Sequence, residues 1–208
     1  MLGEHAEHGG LVFENKKRIS IPCMFPSYVL NKLSIKAFNA TYYGKARSGI
    51  STQKLSLDSY FYPLDAIDHW NRMYGKKGFM QYQFVLPLDK SYEGLEKVLA
   101  RIADAGKGSF LAVLKLFGKG NENWLSFPME GYTLALDFKV EPGVFPLLDD
   151  LDKIVLDHGG RFYLAKDARI TQEKFESGYK DMPRFRELRR EQKMNVIFNS
   201  LQSRRIGI

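Results

Sequence analysis

Cysteine is nearly missing from this sequence: Cys23 is the only one in 208 residues. An intrachain disulfide framework is thereby excluded, and a cysteine-based metal site has no support. His5 and His8 offer two ligands where a zinc site takes roughly three or four, so no metal is expected. Long apolar runs are lacking too, and nothing approaches the ~18 residues of a spanning helix. Met1 to Gly10 is polar and has no apolar core of a signal peptide. It reads as a tail, or as the cut end of a longer protein. HExxH, GxSxG, P-loop and GxGxxG motifs are all missing. A reducing, cytoplasmic setting fits these features.

Positive charge is in excess: 31 Lys and Arg stand against 24 Asp and Glu, a net +7. That balance favours an acidic partner, such as a phosphate ligand, a nucleic acid or an anionic membrane surface. Aromatics are plentiful, with 15 Phe, 11 Tyr and 2 Trp, and such residues fill cores and line pockets. The length suits one domain with extensions.

Residues 1–52 read as an N-terminal extension broken by Pro22 and Pro26, with a short helix between Tyr28 and Phe38. Thr41 to Gly49 reads as a polar loop. Asp65 can cap a short helix through Trp70 to Tyr74. From Phe79 the pattern sharpens. Strands are expected at 79–86, 110–117, 132–138 and 161–164. A helix from Ser91 carries Leu95, Val98, Leu99 and Ile102 at helical spacing and stops at Gly106. A second, from Val144 to His158, turns Phe145, Leu148, Leu151, Ile154 and Val155 inward. The fold class is therefore α+β, a ferredoxin-like βαββαβ antiparallel sheet with both helices on one face. Residues 53–170 form this domain, and residues 171–208 a charged helical tail. The arginines between Arg184 and Arg190 read as a solvated helix face.

Alternation picks out polar residues in unexpected places. Gln81 and Gln83 share one face of the first strand, opposite the apolar Met80, Tyr82, Phe84 and Leu86. Lys115 interrupts an apolar run, and a buried ammonium needs a carboxylate, water or a ligand anion. Thr133 and Asp137 share a face of the third strand. Gly159-Gly160 can end a helix, and Lys166, Asp167 and Arg169 arrive where the last strand should end. Gln81, Gln83, Lys115, Thr133, Tyr163 and Lys166 can gather on the helix-free side of the sheet. Such a set suits an oxygen-rich, anionic or polyol ligand; the alternative is that the glutamines and Lys115 merely face solvent.

Several motifs carry a resemblance. Tyr62-Pro63-Leu64-Asp65, Trp70-Asn71-Arg72, Tyr74-Gly75, the run Gly78 to Pro87, Leu114-Lys115-Leu116-Phe117-Gly118, Leu125-Ser126-Phe127-Pro128, Gly131-Tyr132, Asp137-Phe138, Gly159-Gly160-Arg161-Phe162-Tyr163 and Ala165-Lys166-Asp167-Ala168-Arg169 occur in order. Together they resemble the C-terminal half of the decaprenylphosphoryl-ribose 2′-oxidase branch of FAD-linked oxidases, which is similar to the sugar-lactone oxidases of the vanillyl-alcohol-oxidase type. The resemblance covers roughly residues 40–208.

It implies a cap domain over the substrate, with residues 171–208 returning to an FAD-binding domain that has no counterpart here. It further implies an oxidoreductase that moves a hydride from a sugar hydroxyl, or a polyprenyl-phosphate-linked one, to flavin. This chain alone would then be inactive. Lys166 matches the family's active-site lysine near the flavin and substrate, and Tyr163 would line the same cavity. Gln81 and Gln83 would bind substrate oxygens, and Lys115 the substrate or its phosphate. Thr133 and Ala135 stand where members of the branch can carry asparagine and cysteine, which leaves the substrate open. The implied partners are the flavin domain, the sugar substrate and, peripherally, a membrane. The competing reading is a stand-alone ligand- or RNA-binding ferredoxin-like module. Against RNA, residues 132–138 lack an aromatic-rich signature.

Overall fold

The computed structural model describes residues 4–5, 19–26, 28–44, 52–61, 67–109 and 111–208. Lys45 to Gly49 of the expected polar loop, Tyr62 to Asp65 with its expected cap, and Phe110 lie outside the described residues. The chain divides into two compact units, Met1–Gly78 and Phe79–Ile208.

In the first unit, β1 (Ile19–Ser20) is followed by α1 (Lys32–Gly44), α2 (Leu57–Phe61) and β2 (Ile67–Asp68). β1 and β2 pair in parallel. α1 begins later than the apolar spacing suggests because Asn31 caps it, its side-chain oxygen accepting from the Leu33 and Ser34 amides at 2.8 and 3.1 Å. A 3₁₀ turn over Trp70–Tyr74 follows β2 and buries Tyr74. Arg72 donates from this turn to the Ile21 and Pro22 carbonyls at 2.7 and 3.0 Å.

The second unit holds the βαββαβ core. β3 (Phe79–Pro87), α3 (Ser91–Ala105), β4 (Ala112–Phe117), β5 (Gly131–Lys139), α4 (Val144–Asp157) and β6 (Arg161–Phe162) appear in the expected order. The sheet runs β4-β5-β3-β6 and is antiparallel throughout. Tyr82 stands opposite Leu136 and Phe84 opposite Leu134, so the even-numbered residues of β3 and β5 share a face. That face packs with Val98 and Ile102 of α3 and Leu147, Leu148, Leu151 and Val155 of α4. Each large side chain buried there contributes roughly 1.5–3 kcal/mol. Both helices therefore cover one face, as the sequence predicts.

Further expectations need correction, beginning with the polar loop, since Thr41 to Gly44 is the end of α1. Leu99 and Phe145, expected inward, are about half exposed, while Leu147 and Asp152 take inward positions on α4. β6 ends at Phe162, because Leu164–Lys166 turns into a 3₁₀ helix. The arginines of the tail are not simply a solvated face. After α5 (Gln172–Gly178), α6 (Met182–Glu191) points Arg189 inward, where it donates to the Phe198 carbonyl at 2.6 Å. Arg186 donates to the Gly207 carbonyl at 2.6 Å and pairs with Glu176. α7 (Met194–Ile197) and α8 (Leu201–Arg205) complete the chain. Phe175, Tyr179, Met182 and Ile206 join the same apolar core as Phe162.

The glycine pair sets the start of β6. Gly159 takes φ 70°, the left-handed turn that ends α4. Gly160 is needed for closeness: a Cβ there would lie 2.6 Å from the Val85 carbonyl oxygen and 2.8 Å from Val155 Cγ1.

Candidate functional site

The odd-numbered residues of β3 and β5 face away from the helices. Gln81 stands opposite Asp137, Gln83 opposite Ala135 and Val85 opposite Thr133. On the far side of β5, Lys115 stands opposite Thr133. Beyond β6, the Tyr163 amide continues the ladder by donating to the Gln83 carbonyl at 2.9 Å. The Lys166 amide then donates to the Tyr163 carbonyl at 2.9 Å, closing the 3₁₀ turn. This turn brings the Lys166 side chain back over β3, where its ammonium donates to Gln81 Oε1 at 2.8 Å.

A small cleft at this edge of the sheet is lined by Gln81, Gln83, Tyr163 and Lys166, by residues 167–170, and on the helix side by Met80, Tyr82, Leu148, Asp152 and Phe162. Four of the six expected residues thus meet in one place. Thr133 joins them indirectly. It is buried, donates to the Phe84 carbonyl at 2.8 Å and accepts from Gln83 Nε2 at 3.2 Å. Its hydroxyl holds one glutamine of the cleft in place. Lys115 is exposed, on edge strand β4, two strand spacings or about 10 Å from β3. It needs no buried partner, since the apolar run around it lies at the surface.

The strap that follows Lys166 is held by charge. Asp152 accepts from Arg169 Nη2 and Lys174 Nζ, each at 2.7 Å, and from the Tyr82 hydroxyl at 3.1 Å. Both cations also reach Asp149, at 2.9 and 2.8 Å. Burial, then the Asp152 charge, pushes the Tyr82 phenol well above its ordinary range, so it serves here as a neutral donor. The Asp167 carboxylate accepts from the Arg169 and Ile170 amides and from Arg205 Nη2, at 3.0, 2.8 and 2.8 Å. Lys166 therefore sits on a turn fixed from both ends.

Two residues of the site were missed by sequence reasoning. Phe127 stacks on Tyr163, with ring centroids 4.6 Å apart, and meets Phe117 edge-on at 5.9 Å. It comes from an irregular loop, where no periodicity marks it; Arg161 ties that loop down by donating to the Phe127 and Pro128 carbonyls at 3.0 Å. Asp137 is buried in the middle of the helix-free face. Its parity with Thr133 was the available signal. Desolvation raises its carboxyl above the ordinary value, while the Gln81 hydrogen bond and the Lys166 charge act in the opposite direction.

No family model matches the chain. Among curated proteins, it is 36% identical over 199 residues to the decaprenylphosphoryl-beta-D-ribose oxidase of Mycolicibacterium smegmatis, covering 95% of this chain and 43% of that protein. It is 38% identical over 115 residues to an uncharacterized protein in the mprA 5′ region of Streptomyces coelicolor, covering 55% of this chain and 31% of that protein. The chain thus spans less than half the length of these relatives. The resemblance carried by the motifs is borne out: over nearly all of its length this chain is related by sequence to the decaprenylphosphoryl-ribose oxidases.

Proposed function

We propose that this chain is the C-terminal, substrate-covering portion of an FAD-dependent oxidoreductase that oxidises a sugar hydroxyl, with a polyprenyl-phosphate-linked sugar as the substrate class. The observation that carries the reading is the Lys166 ammonium, fixed by Gln81 over a helix-free sheet face beside Gln83 and Tyr163. The relation to a protein named for oxidising decaprenylphosphoryl-β-D-ribose supplies the reaction class.

A half-buried ammonium and amide at this edge of the sheet fit an electron-rich ring, and Lys166 with Tyr163 would border it. Bound FAD would supply the hydride acceptor. Lys166 places positive charge where negative charge develops during oxidation of an alcohol. Tyr163, stacked on Phe127, gives the cleft a rigid aromatic wall. The Gln83 carboxamide, oriented by Thr133, and the Gln81 N–H that is not directed at Asp137 bind sugar oxygens. Lys115, exposed on β4, meets the phosphate by charge. Exposed Val196, Ile197, Phe198 and Leu201 in the tail give the flavin domain an apolar surface to cover. The chain without that domain is inactive under this reading. On β5, the helix-free face offers Gly131, Thr133, Ala135, Asp137 and Lys139, with no aromatic for base stacking and one buried carboxylate, which disfavours RNA.

The test begins with protein from its native source. Its intact mass and visible spectrum should show a longer polypeptide, or a tight complex, with flavin absorption bands. In that protein Lys166→Ala should lower sugar oxidation by about 10²–10³-fold while flavin content and circular dichroism stay unchanged. Wild-type turnover in the variant would remove Lys166 from its assigned role.

A further inference from the structure

We propose that Asp137 is a positioning residue for the Lys166 site, acting through Gln81 rather than by touching a ligand. The inference rests on the reading above that Lys166 serves the oxidation. Gln81 and Asp137 are directly opposed across β3 and β5, so their side chains leave the sheet side by side on the helix-free face. Gln81 Oε1 is taken by the Lys166 ammonium at 2.8 Å. The amide nitrogen is therefore the end of Gln81 left to meet Asp137, and an ionised carboxylate can only accept. This settles which way the amide points. If it flipped, its N–H groups would face the ammonium and its oxygen the carboxylate, and both contacts would be repulsive.

Burial strengthens the case. Asp137 is 3% exposed, and its Oδ2 has no hydrogen-bond partner among the described residues. Such an oxygen costs several kcal/mol of lost hydration, of order 1–3 for a neutral group and more for a charged one. The local backbone does not offset it. The Asp137 amide donates to Ser109 Oγ at 2.9 Å and to the Leu111 carbonyl at 3.3 Å, and its carbonyl accepts from Ser109 Oγ at 3.0 Å. None of these bonds reaches the carboxylate. On the same face Lys139 lies near Glu141, at 3.9 Å, and Lys115 lies on the edge strand. Gln81 and Lys166 are the groups whose hydrogen bond and charge favour ionised Asp137. A carboxylate in this place holds the amide, and the amide holds the ammonium.

The experiment is a carbon-13 NMR titration of the aspartate carboxyls in the full chain, with Asp137 assigned through its backbone. Wild-type Asp137 should titrate above the ordinary value of 3.8. Lys166→Met and Gln81→Leu should each move its midpoint up by about half a unit or more. Lys97→Met, on the helical side, should leave it in place. An Asp137 midpoint indifferent to Lys166→Met and Gln81→Leu would overturn the proposal. This readout needs neither flavin nor turnover, nor a folded Asp137 variant. In the flavin-containing protein, Asp137→Asn should lower kcat about tenfold with KM nearly unchanged. If Lys166→Ala abolishes turnover while Asp137→Asn is as fast as wild type, positioning fails alone. If Lys166→Ala is silent, the oxidoreductase role of the site fails, and the titration still reports whether the coupling exists.

Discussion

Replacing Asp152 by alanine should be among the most damaging single changes in the second unit, and its neighbour Asp149 supplies the comparison. The two carboxylates bind the same two cations, Arg169 and Lys174, at nearly equal distances. They differ in burial: the Asp152 side chain is 2% exposed and that of Asp149 56%. Removing one member of a buried pair costs about 3–5 kcal/mol, because the surviving charge remains desolvated. Here Asp149 still serves both cations, which reduces the loss, while the Tyr82 hydroxyl is left unbonded, which adds about 1 kcal/mol. For Asp152→Ala the expected loss is therefore about 3–4 kcal/mol. For Asp149→Ala it is roughly 0.5–1 kcal/mol, the worth of a surface ion pair. Tyr82→Phe isolates the hydroxyl and should cost about 1 kcal/mol. Urea unfolding followed by far-ultraviolet circular dichroism, read at constant slope, measures all three. Equal losses for the two aspartates would refute the claim that burial, rather than the count of ion pairs, sets the strength of this network.

Three other outcomes are expected. Gly160→Ala should destabilise by about 2–3 kcal/mol because its Cβ collides with backbone, whereas Gly159→Ala should cost about 1 kcal/mol, from its left-handed φ alone; calorimetric melting distinguishes them. Stability should be level near neutrality and fall in acid. The hydrogen bond from Lys174 holds the Asp149 carboxyl below its ordinary 3.8, so that contribution is present above 3.8 and is lost as pH drops through the lowered value. A fall is expected in alkali too. Burial lowers the Lys174 ammonium, but its bonds to Asp149 and Asp152 raise it further, for a net rise above 10.5; its contribution is complete below 10.5 and lost above the raised value. Urea midpoints across the pH range test both limbs.

The sheet and its two helices were legible because their information is periodic. Gln81 and Gln83 alternate with Tyr82 and Phe84, and no other secondary structure satisfies that spacing as well as a half-covered strand. The site was legible to the extent that it lies on strands. Gln81, Gln83 and Thr133 could be given a common face by parity alone. Lys166 could not: its approach to Gln81 depends on a 3₁₀ turn after β6, which four residues of sequence do not specify. Lys115 misled in the opposite sense. Apolar neighbours suggest burial, but Leu114 and Leu116 are 54% and 60% exposed on an edge strand. Arg189 was unreadable for a related reason, because a charge turned inward to cap carbonyls looks the same in sequence as one turned to water. Leu99 and Phe145 sit at the margins of their helical stripes, where spacing permits either side.

The open flank of the sheet gives Lys115 a second duty. Among the described residues β4 has a partner on one side only, and it presents Leu114 and Leu116 at that open edge. Two such flanks can zip together into an intermolecular sheet. A single lysine between the two leucines opposes that, because pairing two copies would bring like charges together in poorly hydrated surroundings. Lys115 is thus placed to oppose edge-to-edge pairing. Any variant made there to probe phosphate binding, Lys115→Ala above all, will change colloidal behaviour at the same time, and light scattering belongs beside every affinity measured on it.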